Sequence, residues 1–252
     1  MLSNRLVSID FEISSTCQAK CPVCIRNQKG KLGEFEQTTK TLAEVKYILG
    51  DLAKQLHKIE FCGNYGDPMA CEEIAEICKW LIEQSPNIRI DIATNGAIGS
   101  PKTYAKLGEL GANIIFAFDG TTQESNELYR RNVKWSDAML NLKAYSETSV
   151  APYSTWQFLV FDENKEHLEP AIQMAIDHNL KYFFINDLPN PFVSGYHSTL
   201  IDRENLIAKD GQVLEIYDTD QSTVLYTLTQ AVTMSEKIKE LKEKYATKML
   251  FL

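Results

Sequence analysis

The feature that most restricts the fold of this chain is a rhythm. Between residues 6 and 186, short apolar runs of strand type alternate with helical patterns, and Gly, Pro, Asn or Asp marks most junctions. The strand-like runs are residues 6–13, 57–63, 88–92, 114–118, 154–161 and 181–185. Between them, Thr41 caps a pattern in which Leu42, Val45, Ile48, Leu49, Leu52 and Leu56 recur every three or four residues, with Glu44 in the first turn. Residues 72–84 place Ile74, Ile77, Cys78 and Leu81 on one helical face, and Pro101 opens the next helix. Residues 135–147 and 165–179 supply two more, the second interrupted at Pro170. Six strands alternating with five helices predict an α/β fold: a parallel sheet with crossover helices, curved into a partial (β/α)6 barrel. Such sheets gather their βα loops on one edge, which is where a site belongs.

The rhythm stops at Asp187-Leu188-Pro189-Asn190-Pro191. Residues 1–186 therefore read as the core. Residues 187–252 read as a small C-terminal extension covering the barrel, with a strand at 211–217 and a charged helix at 235–245 that turns Ile238, Leu241 and Tyr245 inward.

The first βα loop carries the chemistry. Cys17, Cys21 and Cys24 stand in a C-x-x-x-C-x-x-C spacing within eight residues, close enough for soft thiolates to meet at one soft metal centre. Structural zinc usually takes four protein ligands, whereas three cysteines on a four-iron cluster leave one iron open for chemistry. A zinc site with its fourth ligand elsewhere and three unrelated buried thiols are the competing readings. Cys62, Cys71 and Cys78 fall on a predicted strand and helix and read as buried free thiols, and no cysteine follows Cys78. The four histidines form no ligand pattern.

The cysteine spacing, at the loop leaving the first strand, resembles that of the radical S-adenosylmethionine (radical SAM) enzymes. The resemblance implies a [4Fe–4S] cluster held by Cys17, Cys21 and Cys24, with the amino and carboxylate groups of S-adenosylmethionine chelating the fourth iron. It also implies reductive cleavage of that cofactor to methionine and a 5′-deoxyadenosyl radical that abstracts hydrogen from a substrate, fed by an external electron donor. Gly63-Asn64-Tyr65-Gly66-Asp67-Pro68 is similar to the family's Gly-Gly-Glu-Pro-like loop, which holds the cofactor's amino group, although Asp67 is one methylene shorter than Glu and Tyr65 separates the glycines. Thr94-Asn95-Gly96 is similar to the family's turn after the third strand; it serves either as a ribose contact or simply as a good turn.

Residues 114–120 followed by Tyr129-Arg130-Arg131 resemble the fourth strand and loop of the SPASM and twitch group, although Ala117 stands where many relatives have serine. That likeness places Asp119 at the cofactor site and assigns Arg130 to the cofactor carboxylate through bidentate geometry, with Arg131 as the second choice. Gln157 on the fifth strand and Asn186 at the end of the sixth complete the implied cofactor set, Asn186 near adenine. The auxiliary-cluster cysteines of the SPASM and twitch group have no counterpart in 187–252. No general acid or base is identifiable, so the catalytic side chains stay unassigned.

The substrate expected from the SPASM and twitch likeness is a peptide, a protein side chain or a small molecule. Two alternatives are nucleoside or RNA modification and a non-catalytic metal-binding interaction module. A net charge of −8 and a pI near 5.1 argue against extended nucleic-acid binding. Six cysteines suit a reduced, cytoplasmic protein better than a disulfide scaffold. No signal-type apolar segment opens the sequence and no apolar run nears the ~20 residues of a membrane span, so no membrane partner is expected.

Overall fold

The computed structural model describes residues 7–22, 24, 26, 36–186, 206–207, 213–214 and 237–251. Its elements are β1 (Val7–Phe11), α1 (Leu42–Leu49), β2 (Leu56–Phe61), α2 (Ile74–Gln84), β3 (Arg89–Thr94), α3 (Pro101–Glu109), β4 (Asn113–Ala117), α4 (Gln123–Glu127), α5 (Trp135–Thr148), β5 (Thr155–Leu159), α6 (Leu168–Asp177) and β6 (Tyr182–Asn186). After these come β7 (Leu206–Ile207), β8 (Val213–Leu214), a helix α7 over 237–245 and β9 (Leu250–Phe251). The sheet runs β1-β2-β3-β4-β5-β6-β9 without closing on itself, and β7 and β8 form a separate antiparallel pair. This is the parallel α/β architecture of a partial barrel.

Several local causes are visible. Thr41 closes a capping box with Glu44 at the start of α1, and Ser100 and Thr122 cap α3 and α4. Pro170 does not interrupt α6. A short 3-10 turn at Lys165–His167 precedes the helix, so Pro170 lies in its first turn, where an N–H would have no intrahelical partner. β9 was not foreseen: Leu250 and Phe251 pair in parallel with Tyr182 and Phe183. The strand expected at 211–217 is described only at β8, and the Pro-rich break at 187–195 lies outside the described residues.

The chain divides into two compact units. The first comprises 1–18, 36–116 and 134–155. Here β1, β2, β3 and β4 pair in parallel, with Asp10 opposite Glu60, Glu60 opposite Asp91 and Asp91 opposite Asn113. Because side chains alternate across a strand, Ile59, Phe61, Ile90, Ile92, Ile114 and Phe116 share the helix-covered face. All six are buried. Phe116 lies 6.0 Å from the ring of Tyr104 on α3 and 5.6 Å from that of Tyr145 on α5. The Tyr145 hydroxyl donates to the Ala112 carbonyl and accepts from the Ile114 N–H, which satisfies a buried phenol.

The opposite face of the same strands is polar. It carries Asp10 and Glu12 from β1 and its end, Lys58 and Glu60 from β2, Arg89 and Asp91 from β3, and Asn113 from β4. Asp91 is buried, and its charge is met by Arg89 at 2.9 Å, Lys58 at 3.4 Å and the Asn113 amide at 2.9 Å.

The second unit comprises 19–35, 117–133 and 156–252. Its core is aromatic: Trp156 meets Phe118 edge-on at 5.0 Å and stacks on Phe183 at 6.2 Å, and Phe158 stacks on Phe183 at 6.3 Å. The Trp156 indole N–H donates to the Phe118 carbonyl. Helix α7 buries Ile238, Leu241 and Tyr245, and Lys244 pairs with Glu169 of α6.

Candidate active site

Most of the implied site residues lie on the loops that follow the strands, while Gln157 lies within β5 and Thr94 and Asn186 end β3 and β6; each unit holds its own part. In the first unit, the loop leaving β1 is tied down at both sides of its start. Ser15 N–H donates to Thr38 O, and the Asp67 N–H donates to Thr16 O at 2.8 Å. Gly66 lies against this loop so closely that a Cβ there would stand 2.3 Å from Ser14 O and 2.6 Å from Ser14 C. Backbone packing thus requires the glycine. Gly63 has room for a Cβ in ordinary contact, and Asn64 N–H donates to the Glu12 carboxylate at 3.2 Å.

Asp67 is buried and fully engaged. Its Oδ1 accepts from Met69 N–H at 3.0 Å, capping the short turn opened by Pro68, and from the Thr94 hydroxyl at 2.8 Å. Its Oδ2 accepts from the Asn95 N–H at 2.9 Å and from Asn95 Nδ2 at 2.5 Å. Asn95 carries this linkage on to the cysteine loop. Its Oδ1 accepts from Gln18 Nε2 at 2.8 Å, and its Nδ2 stands 3.6 Å from Cys17 Sγ. Asp67, Thr94, Asn95, Gln18 and Cys17 are therefore one polar chain. The turn is held from behind as well, since Asn141 donates to Gly96 O at 2.8 Å.

In the second unit, Cys24 N–H donates to Cys21 O at 3.1 Å, folding that part of the cysteine loop into a turn, and Lys20 N–H donates to Arg131 O at 2.8 Å. Cys21 is buried. Burial pushes its thiol up to about 11, against the pull of the Arg130 guanidinium, which hydrogen-bonds it. Arg130 Nε also donates to Asp119 Oδ2 at 2.5 Å. Asp119 is fully buried, and burial raises its carboxyl while Arg130 and the Leu159 N–H, at 2.8 Å, oppose the rise. Asn126 and Asn164 complete its surroundings: Asp119 N–H donates to Asn126 Oδ1 and Asn164 Nδ2 donates to Asp119 O. Arg130 thus joins Asp119 to Cys21. Gln157 and Asn186 take part through backbone carbonyls, which accept from Phe118 N–H and Val160 N–H.

Three further groups escaped the sequence reading. Glu12 caps the Asn64 and Tyr65 N–H groups; the alternation of Ser8, Asp10 and Glu12 along β1 was the available signal. Gln18 adjoins the first cysteine and Asn95. Thr121 Oγ1 and His167 Nδ1 pair at 2.8 Å between the loops after β4 and β5, a contact with no local signature. Cys71 and Cys78 are buried thiols, the former donating to Lys40 O. Among the described residues no three His, Cys, Asp or Glu side chains converge on the position of a single metal ion.

Residues 11–175 match the Radical SAM superfamily. The chain belongs to it. Radical SAM enzymes use a [4Fe–4S] cluster and S-adenosylmethionine, and membership sets aside the non-catalytic module. Thiols are the soft donors such a cluster takes: in the first unit Cys17 has an amide beside it, and in the second a guanidinium hydrogen-bonds Cys21. GTP 3′,8-cyclase of Petrotoga mobilis is 24% identical over 221 residues, covering 82% of this chain and 66% of that protein. SuiB of Streptococcus suis bound to S-adenosylmethionine superposes with a TM-score of 0.66 at 14% identity, covering 99% of this chain and 50% of SuiB. The structure of native anSMEcpe with bound AdoMet gives a TM-score of 0.55 at 17% identity over 72% of this chain and 52% of that one. The chain spans about half to two thirds of the length of these relatives. Among the described residues no helix is long and apolar enough to cross a membrane.

Proposed function

We propose that this radical SAM enzyme binds its cluster through Cys17, Cys21 and Cys24 and its cofactor along the loops after the strands. The observation that carries the reading is the three-thiol loop within the region that matches the superfamily. Backbone carbonyls of Gly63, Asn64 and Gly66 receive the cofactor's ammonium. Asp67 and Pro68 set that loop, and Thr94 and Asn95 lie toward the ribose. Arg130, oriented by Asp119, takes the carboxylate, while Gln157 and Asn186 lie toward substrate and adenine. When bound, the reduced cluster supplies the electron that cleaves S-adenosylmethionine to methionine and a 5′-deoxyadenosyl radical. The protein binds, orients and excludes water, so that one substrate C–H faces the radical. An external donor supplies the electron. All of these proposed site residues fall within 1–186. Six cysteines, none in a disulfide, suit a reducing compartment, the cytoplasm.

The favoured substrate is a peptide or protein side chain, with a small molecule next. SuiB bound to its precursor peptide SuiA and anSMEcpe bound to the Kp18Cys peptide are structural neighbours that support it. The similarity to GTP 3′,8-cyclase favours a nucleotide instead. The polar face of β1 to β3 supports the peptide: Asp10 and Glu12 disfavour a polyphosphate, and the neighbouring Lys58 and Arg89 are already paired with carboxylates. Anaerobic reconstitution tests the reading. Wild type is expected to hold about four irons per chain and to form 5′-deoxyadenosine with dithionite, and Cys21→Ala to lose both. A single zinc, or undiminished iron in the variant, overturns the ligand assignment. Stimulation of cleavage by GTP but by no peptide transfers the substrate to the nucleotide class.

A further inference from the structure

We infer that Asn95 is a positioning residue that sets the reduction potential of the metal centre by donating a hydrogen bond to the Cys17 sulfur. The inference rests on the proposed role of Cys17 as a ligand, and it adds a function to a turn that sequence alone reads as a ribose contact or a plain turn. The amide is not free to rotate. Its Nδ2 gives one hydrogen to Asp67 Oδ2 at 2.5 Å, its Oδ1 accepts from Gln18 Nε2 at 2.8 Å and from Ala97 N–H at 3.1 Å, and its own backbone N–H is bound to Asp67 Oδ2. These contacts fix the side-chain plane. The second hydrogen of Nδ2 is then directed toward Cys17 Sγ at 3.6 Å and Gln18 Oε1 at 3.3 Å.

An N–H aimed at a ligating thiolate withdraws electron density from it, and the more reduced, more negative state gains more from that than the oxidised one. The bond therefore raises the potential and eases entry of the single electron that the external donor delivers. Burial strengthens the effect, since Asn95 is only 6% exposed and water does not compete for the amide. Asp67 contributes by holding Asn95 in place: its carboxylate draws on the first hydrogen of Nδ2 and keeps the second pointed at sulfur.

Potentiometric titration of the reconstituted protein without S-adenosylmethionine, followed by electron paramagnetic resonance of the reduced cluster, tests this. Asn95→Leu keeps the number and branching of the side-chain heavy atoms and removes the donor. Poised at the wild-type midpoint, the variant is expected to show a reduced-to-oxidised ratio about tenfold lower, a midpoint lower by about 59 mV for one electron. An unchanged midpoint with full iron content overturns the inference and leaves the ligand assignment standing. Absence of any four-iron cluster from the wild type removes that assignment instead. Should Asn95→Leu fail to fold, wild type grown with asparagine labelled by nitrogen-15 at the side-chain amide decides. A nitrogen-15 coupling in the spectrum of the reduced cluster is expected, and its absence overturns the inference.

Discussion

Both carboxylate oxygens of Asp67 are turned into the residues that close β3, where Oδ2 accepts from the backbone and the side-chain amide of Asn95 at 2.9 and 2.5 Å. The side chain that a family likeness assigns to a cofactor ammonium is thus also the internal acceptor for four donors, two of them on Asn95. Replacing it by alanine leaves those donors without their acceptor in a buried place. Asp67→Ala is expected to lose about 3 kcal/mol of stability in the protein without metal or cofactor, measured by urea unfolding. A loss confined to the loaded enzyme would return Asp67 to a purely ligand-binding role.

The two glycines of the same loop separate a packing requirement from a turn preference. At Gly66 a methyl group meets the Ser14 backbone at 2.3 Å and the Ser15 backbone at 2.8 Å, whereas at Gly63 it finds atoms at 3.4 and 3.5 Å. Gly66→Ala is expected to cost about 3 kcal/mol in unfolding experiments. Gly63→Ala is expected to stay within about 0.5 kcal/mol.

This contrast shows what a sequence can and cannot disclose. The βα rhythm from β1 to β6 was legible because the apolar spacing of Ile59 and Phe61, or of Ile74, Ile77 and Leu81, is written locally and each period fits one element. The cap at Thr41 and the start of α3 at Pro101 were legible for the same reason. β9 was not: two residues carry no period, and their partners, Tyr182 and Phe183, lie far back along the chain. In the site, the cysteine spacing announced itself, as did Asp119 and Arg130 as residues of note. That Gly66 serves the Ser14 backbone, that Asn95 leans on Cys17, and that Glu12 caps the loop after β2 are contacts between distant residues. No local pattern encodes them.

Arg130, mostly covered, pairs with the fully buried Asp119 so that each compensates the other, and Asp119 also accepts from the Leu159 N–H. Removing only the cation strands a carboxylate in a place with no water to solvate it. Arg130→Ala is expected to destabilise the apo protein by about 3–5 kcal/mol in urea unfolding, before any effect on cofactor affinity. Calorimetric titration with S-adenosylmethionine on the folded fraction then measures the second role. A variant of unaltered apo stability would show that Arg130 belongs to the ligand alone.

Glu12 gives the stability of the first unit a pH dependence of defined sign. Burial raises its carboxyl above the ordinary 4.5, aided by the charge of Asp10 and opposed by the N–H groups of Tyr65 and Asn64. The folded state therefore holds the proton more tightly than the unfolded chain. Its stabilising contribution is complete below pH 4.5 and is lost as pH rises through the raised folded value. Glutamine keeps an acceptor for Asn64 and Tyr65 but never acquires the charge. Glu12→Gln is thus expected to gain on the wild type as pH rises from the ordinary carboxylate value toward neutrality, with the two converging below it. The side chain is only partly buried, so screening keeps the gain small and the slope is the quantity to read. Paired urea titrations at closely spaced pH values measure that slope, and a gap that narrows as pH rises would show that the two N–H contacts, rather than burial, govern Glu12.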